Sequence, residues 1–304
     1  MRIAGTAGDA ATGTAAGATK LIRGKGMRRL VGYLLLIFAA FLMRGESSLA
    51  QMGSRQGYLG FDRNDYPGDT AMSALRKEFS FAGYWLTPAP GAKTNSWTGK
   101  RKAMQERRFG FLLLARGREG SAIHNVAGAQ KDGLADAREA ARSAKAEGFS
   151  NGAIIFVDVE EGGRLTDAYH AYLRAWADEL VKLGFRPGVY CSGIAVNESG
   201  GATIVTADDI RVKEAPRKFA FWVFNDACPP SPGCVAAANP PLQRASGVKD
   251  AAVWQFVRSP REKEIAAQCG GYAADENCYA GVDAARKWHL DMNVAANANP
   301  SFAK

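Results

Sequence analysis

The chain has 304 residues, 47% of them hydrophobic, which suits one barrel-sized domain or two smaller ones and excludes a disordered protein. Its net charge of +9 is unevenly placed: residues 1–50 hold seven basic and two acidic groups, leaving 32 basic against 28 acidic in the remainder. The body is therefore close to balanced, and no nucleic acid is expected as a partner.

Residues 1–26 are rich in Gly, Ala and Thr and read as disordered or as a mis-assigned start, with Met27 as the alternative first residue. Residues 27–50 have the layout of a signal peptide or membrane anchor. Met27-Arg28-Arg29 precede an apolar run over 30–43, and Ser48-Leu49-Ala50 forms a small-x-small site before Gln51. The run is short for a membrane span. Cleavage is expected, with an uncleaved tether to the inner membrane through residues 30–43 as the alternative. Either way the body, residues 51–294, is expected to be exported to the periplasm or beyond.

The first expected strand is Tyr58-Leu59-Gly60-Phe61-Asp62, followed by a turn-rich stretch and a helix over 70–79. A second strand covers residues 82–86 and a third 109–115, with a charged, helical segment at 97–108 between them. Residues 131–147 are rich in Ala, Arg, Glu and Lys and stop before Gly148, which predicts a helix. The fourth strand is Ile154-Ile155-Phe156-Val157-Asp158-Val159-Glu160-Glu161. The helix after it sets Tyr172, Leu173, Trp176, Leu180 and Leu183 on one face, with Thr166 or Asp167 as cap and Gly184 as stop. Strands five to seven are expected at 188–191, 219–224 and 252–256, and a last one at 289–294. Residues 295–304 read as a tail.

Eight strands alternating with helices predict an α/β fold of the (β/α)8 TIM-barrel type, a single domain behind the leader. No Gly-rich phosphate loop follows any strand, which disfavours a doubly wound sheet. Cys228 and Cys234 bracket one short loop and Cys269 and Cys278 another, so two local disulfides are expected in an exported chain. Cys191 lies within a strand and reads as a buried thiol. The histidines (His124, His170, His289) are scattered and the cysteines lack CxxC pairs, so neither a metal site nor a cofactor is expected.

The chemistry is expected at the end of the fourth strand. A strand repeats every two residues, so Asp158 and Glu160 share one face, their Cβ atoms roughly 6.5–7 Å apart, and two carboxyls held in different states suit acid/base work on a glycosidic bond. The alternative is that they cap the next helix or pair with surface cations. Asp62, Asn225, Gln255 and Asp291 also fall at or near strand C-termini, the face on which barrel active sites are built. Trp85, Tyr190, Trp222 and Trp254 are candidates for stacking on sugar rings or for filling the barrel.

Gly60-Phe61-Asp62, Asp158-Val159-Glu160, Gly188-Val189-Tyr190, Trp254-Gln255-Phe256 and Leu290-Asp291-Met292-Asn293 resemble the glycoside hydrolase family 25 lysozymes. Gly60-Phe61-Asp62, Tyr66-Pro67-Gly68-Asp69, Gly83-Tyr84-Trp85-Leu86 and Gly117-Arg118-Glu119 resemble more closely the bacterial glycoside-hydrolase-like domain of unknown function 1906. The resemblance implies a barrel with a ring of carboxylates, Glu160 as general acid, and Asp62, Asp158 and Asp291 orienting sugar or stabilising charge. It implies a cell-wall or envelope polysaccharide as partner, cleaved by direct water attack or with help from a 2-acetamido group. A non-catalytic carbohydrate-binding barrel and a structural envelope protein are the alternatives. Glu161 departs from the motif and is expected to point away from the lumen, near a helix start.

Overall fold

A computed structural model of the chain describes residues 57–228, 242–258 and 290–303. Within them, β1 (Tyr58–Asp62), β2 (Phe81–Trp85), β3 (Gly110–Ala115), β4 (Ile154–Asp158) and β5 (Arg186–Ser192) run parallel. They are joined by α1 (Asp69–Leu75), α2 (Arg101–Glu106), α3 (Val126–Ala146) and α4 (Asp167–Lys182). After β5 come a short hairpin, β6 (Ala195–Asn197) and β7 (Thr203–Val205), and then α5 (Thr206–Lys213). β8 (Ala220–Cys228) and β9 (Ala251–Val257) continue the parallel run.

The barrel closes in the order β1-β10-β9-β8-β5-β4-β3-β2, where β10 is Asp291–Ala295. The expected eight-stranded α/β barrel is present, with one difference. β10 runs antiparallel to both β1 and β9, so Asp291 begins its strand instead of ending it. Reversal returns Asp291 to the rim formed by the C-termini of the other strands, because it lies opposite Asp62 in the register. Strand direction depends on how the chain enters the sheet, which the residues of a strand do not encode.

Boundaries moved where caps were not visible in composition. α3 starts five residues before the expected 131, because the Asn125 side chain accepts from the Gly128 N–H at 2.9 Å and opens the helix there. Its buried stripe is alanine with Gly133, where a Cβ would meet the Tyr172 carbonyl of α4 at 2.4 Å. α4 has the expected cap: Thr166 Oγ1 accepts from the Tyr169 N–H, and Gly184 follows with φ +90°. β4 stops at Asp158, although the Val159 N–H still donates to the Tyr190 carbonyl at 3.0 Å. β8 runs past Asn225 and Asp226 to Cys228.

Residues after 295, expected as a tail, complete β3. Asn299 Oδ1 accepts from the Phe111 N–H at 2.7 Å and Ser301 Oγ from the Leu113 N–H at 2.8 Å. Gly110 admits this segment, since a Cβ there would lie 1.8 Å from the Ala298 carbonyl oxygen. Truncation after Ala298 removes both partners and uncovers β3, and each lost hydrogen bond is worth about 0.5–1.5 kcal/mol net. The truncated protein is expected to melt several degrees lower by circular dichroism; an unchanged melt would contradict this role.

Cys191 is buried and free, as expected, and burial pushes its thiol up. Cys234, Cys269 and Cys278 lie outside the described residues, as does the Cys228 side chain, and so do residues 1–56 with the leader. Among the described residues no helix is long and apolar enough to cross a membrane.

His170 on α4 joins that helix to α5. Its Nδ1 faces Glu214 Oε1 and its Nε2 faces Asp209 Oδ2, each at 3.0 Å, with all three side chains at most 2% exposed. Burial alone would raise the Glu214 carboxyl, but hydrogen bonds from His170 and Arg174 outweigh it and hold the carboxyl below its ordinary range. A lowered folded-state value makes this stabilisation complete above the usual carboxylate range and removes it as pH falls through the lowered value. Glu214→Gln is accordingly expected to flatten the acid side of a plot of Tm against pH. Parallel curves for the two proteins would refute the assignment.

Candidate active site

The barrel rim is built by alternation. On β4, Ile154, Phe156 and Asp158 share the inner face: Gly188 of β5 lies against Ile154 and Phe156, and Phe156 packs edge-on against Trp222 of β8. Asp158 is then beside Tyr190 in the β4–β5 register, and Asp62 beside Asp291 in the β1–β10 register. In the closed order β4 stands four strands from β10, and β5 four strands from β1. Two pairs therefore face each other across the mouth.

A buried hydrogen-bond chain spans that mouth. Tyr190 Oη donates to Gln255 Oε1 at 2.7 Å, and Gln255 Nε2 donates to Asp62 Oδ2 at 2.9 Å. Asn293 Nδ2 donates to the same oxygen at 2.6 Å, while Trp222 Nε1 donates to Asn293 Oδ1 at 2.8 Å. Asp62, Gln255 and Asn293 are all buried. Gly83 on β2 leaves room for Asp62, because a Cβ there would sit 2.6 Å from the Asp62 Cβ.

Tyr190 reports the electrostatics. Burial first, then the charges of Glu160, Asp158, Asp62 and Asp291, raise its hydroxyl well above the ordinary range, so it stays a neutral donor. All four expected carboxylates thus act on one tyrosine, and Glu160 acts most strongly among them. They differ in exposure: Asp62, Asp158 and Asp291 are buried, whereas Glu160 lies beyond the end of β4 and is open to solvent. A cation stands nearby. Arg258 makes a bidentate pair with Asp226, lies 4.7 Å from the Phe224 ring centroid, and is influenced by Tyr190 and Asp291.

The other expected site residues separate. Trp254 follows the opposite parity to Gln255 on β9, and its Nε1 donates to the Asn225 carbonyl at 2.8 Å. Asn225 in turn donates to the Ser246 carbonyl, so this pair braces the outside of the sheet. Trp85 and Tyr190 are 4% and 7% exposed, with the Trp85 Nε1 bonded to the Arg63 carbonyl, which leaves little ring face for stacking. Glu161 is not at a helix start: it accepts from the Gly120 N–H in the loop after β3, while Thr166 caps α4. His124 is exposed.

Trp222, expected as a stacking or packing ring, is buried and donates to Asn293; Asn293 and Arg258 join the same constellation and were not singled out for it. Asn293 could have been found by period two from Asp291. Arg258 had no such signal, since its role depends on Asp226 and Phe224 of another strand. Among the described residues no cluster of His, Cys, Asp and Glu could hold a metal ion.

Residues 96–231 match the model of the Rv2525c-like, glycoside hydrolase-like domain family. No curated protein matches the chain. Among solved structures, an uncharacterized protein from B. stearothermophilus is 18% identical, covering 81% of this chain and 99% of its own, with TM-score 0.52. The Tat-secreted protein Rv2525c from Mycobacterium tuberculosis is 14% identical over 82% of this chain and 100% of its own, with TM-score 0.48. A family 25 glycosyl hydrolase from Bacillus anthracis is 12% identical over 80% and 91%, with TM-score 0.43. The first of these is a likeness of fold. Residues 96–231 are thus similar to an Rv2525c-like, glycoside hydrolase-like domain, and the described residues among them supply strands of a closed eight-stranded barrel.

Proposed function

We propose that the protein is an exported hydrolase of O-glycosidic bonds in an envelope polysaccharide of the peptidoglycan type, with Glu160 as general acid. The observation that carries this reading is the gathering of Glu160, Asp158, Asp62 and Asp291 around Tyr190 on one rim. Sugar seated over Glu160 would remove it from water beside Asp158 and so favour the neutral form that a general acid needs. Asp62, held by two amide donors, and Asp158 and Asp291 would orient the sugar and stabilise positive charge at the anomeric carbon. Export rests on the leader sequence, and the same sequence would supply any membrane tether through residues 30–43.

A non-catalytic carbohydrate-binding barrel is the second reading, favoured by the exposure of Glu160. The deciding experiment incubates the purified protein with peptidoglycan and measures new reducing ends. Release that depends on Glu160 supports the hydrolase. Saturable binding without release supports the second reading.

A further inference from the structure

The two ends of the barrel differ in charge. The rim carries the carboxylates described above. The opposite end, the base, is where the parallel strands begin and β10 finishes, with Ala295 opposite Tyr58 in the register. Exposed cations lie in the turns that lead into this end: Lys77 follows α1, Arg108 precedes β3, Lys182 ends α4, Lys213 ends α5, and Lys218 and Lys249 precede β8 and β9. Of these, only Lys182 has an acidic partner among the described residues, Glu179 at 3.5 Å. The exposed acids in the same turns are Glu78, Glu106 and Asp250, and the last two are already met by Lys102 and Arg211. In the closed strand order the cations stand before β2, β3, β5, β8 and β9, so they ring the barrel and define a face across its axis.

Apolar side chains share that face. Tyr58 is 45% exposed, Val181 60% and Val212 74%. A lone surface valine is ordinary. Here Val181-Lys182 closes α4 and Val212-Lys213 lies in the last turn of α5, and the buried His170 contacts hold these two helices side by side. An apolar group and an unburied cation are thus presented together twice on neighbouring helix ends. The chain also enters here: β1 begins at Tyr58, so the polypeptide leading in from residues 30–43 joins the barrel at its base.

We propose that the base of the barrel is a docking face for an anionic phospholipid surface. The ring of cations meets the headgroup phosphates, while Tyr58, Val181 and Val212 enter the boundary between headgroups and acyl chains. A soluble polyanion would engage the lysines and leave the valines in water; a lipid surface uses both. Docked in this way, the barrel stands with its carboxylate rim pointing away from the bilayer, because base and rim are opposite ends of the same strands. The face is independent of what the rim binds or cleaves.

Co-sedimentation of the full chain with vesicles tests the face. Two compositions are used, phosphatidylcholine alone and phosphatidylcholine mixed with phosphatidylglycerol. The mixed vesicles are expected to bind more protein, and added salt to weaken that binding. Lys77→Gln, Lys218→Gln and Lys249→Gln together should lower partitioning into mixed vesicles about 100-fold, since each cation near such a surface is worth about five-fold. Lys93→Gln, Arg116→Gln and Lys131→Gln remove the same charge from segments that leave the rim, and should change it by about two-fold at most. All six positions are exposed, so the fold is not at issue. Val181→Ser with Val212→Ser should weaken binding several-fold. Equal loss in the two lysine-depleted proteins would show attraction by net charge without a face, and overturns the proposal. So does binding that is the same in both vesicle types and indifferent to the base lysines, the behaviour of insertion through residues 30–43 alone. Binding that needs the base lysines but ignores the two valines assigns the face to a soluble polyanion and overturns the lipid.

Discussion

Glu160→Gln is expected to lower the rate of reducing-end release from peptidoglycan by about 10²- to 10⁴-fold, the usual contribution of a positioned proton donor. The amide keeps the shape of the side chain and its capacity to hydrogen-bond a sugar oxygen, but has no proton to give to a leaving group. Because Glu160 is exposed and lies beyond the end of β4, the substitution is expected to change stability by no more than about 0.5 kcal/mol. Loss of activity with an unchanged melting curve and unchanged sugar affinity would place the defect in the chemical step. Equal rates in the two proteins would remove Glu160 from the mechanism. Asp158→Asn is the companion experiment: Asp158 is buried beside Tyr190, so its removal should alter both stability and activity. The contrast follows from where the strand stops.

Much of this arrangement was legible in the chain because period and type coincide in it. Ile154-Ile155-Phe156-Val157 read as a buried strand with acids emerging at its end, and β4 runs over Ile154–Asp158. Thr166 and Gly184 bracketed α4 because a hydroxyl cap and a positive-φ stop are local events. What could not be read depends on partners distant in sequence. The reversal of β10 follows from its pairing with β1 and β9. Trp254 read equally as a sugar platform or as packing because tryptophan serves both purposes, and its parity relative to Gln255 and its bond to Asn225 come from the folded sheet. The tail resembled other polar termini, and its work on β3 depends on residues 188 positions earlier.

Asn293→Leu is expected to be the most damaging single change that leaves every carboxylate in place. Asn293 is fully buried and satisfies two groups at once, donating to Asp62 Oδ2 and accepting from Trp222 Nε1. Leucine fills a similar volume but offers neither function. Asp62 loses one amide donor, worth about 1.5–3 kcal/mol for a charged acceptor, and Trp222 is left with a buried N–H that costs about 1–3 kcal/mol. A combined loss of about 3–5 kcal/mol should lower Tm by roughly 6–20 °C in a domain of this size. Gln255→Leu removes the other donor to the same oxygen and strands the Tyr190 hydroxyl. If one oxygen is the shared anchor, the double variant should deviate from the sum of the two single losses by at least about 0.5 kcal/mol. Strict additivity would show that the two amides act independently and that Asp62 is held by its strand alone. Chemical denaturation of the four proteins reads the coupling directly. The same series assayed on peptidoglycan asks whether Asp62 must be fixed for turnover: a rate that falls in the folded fraction of each single variant means that the chain from Trp222 to Tyr190 positions this carboxylate for the reaction, beyond its part in closing the barrel.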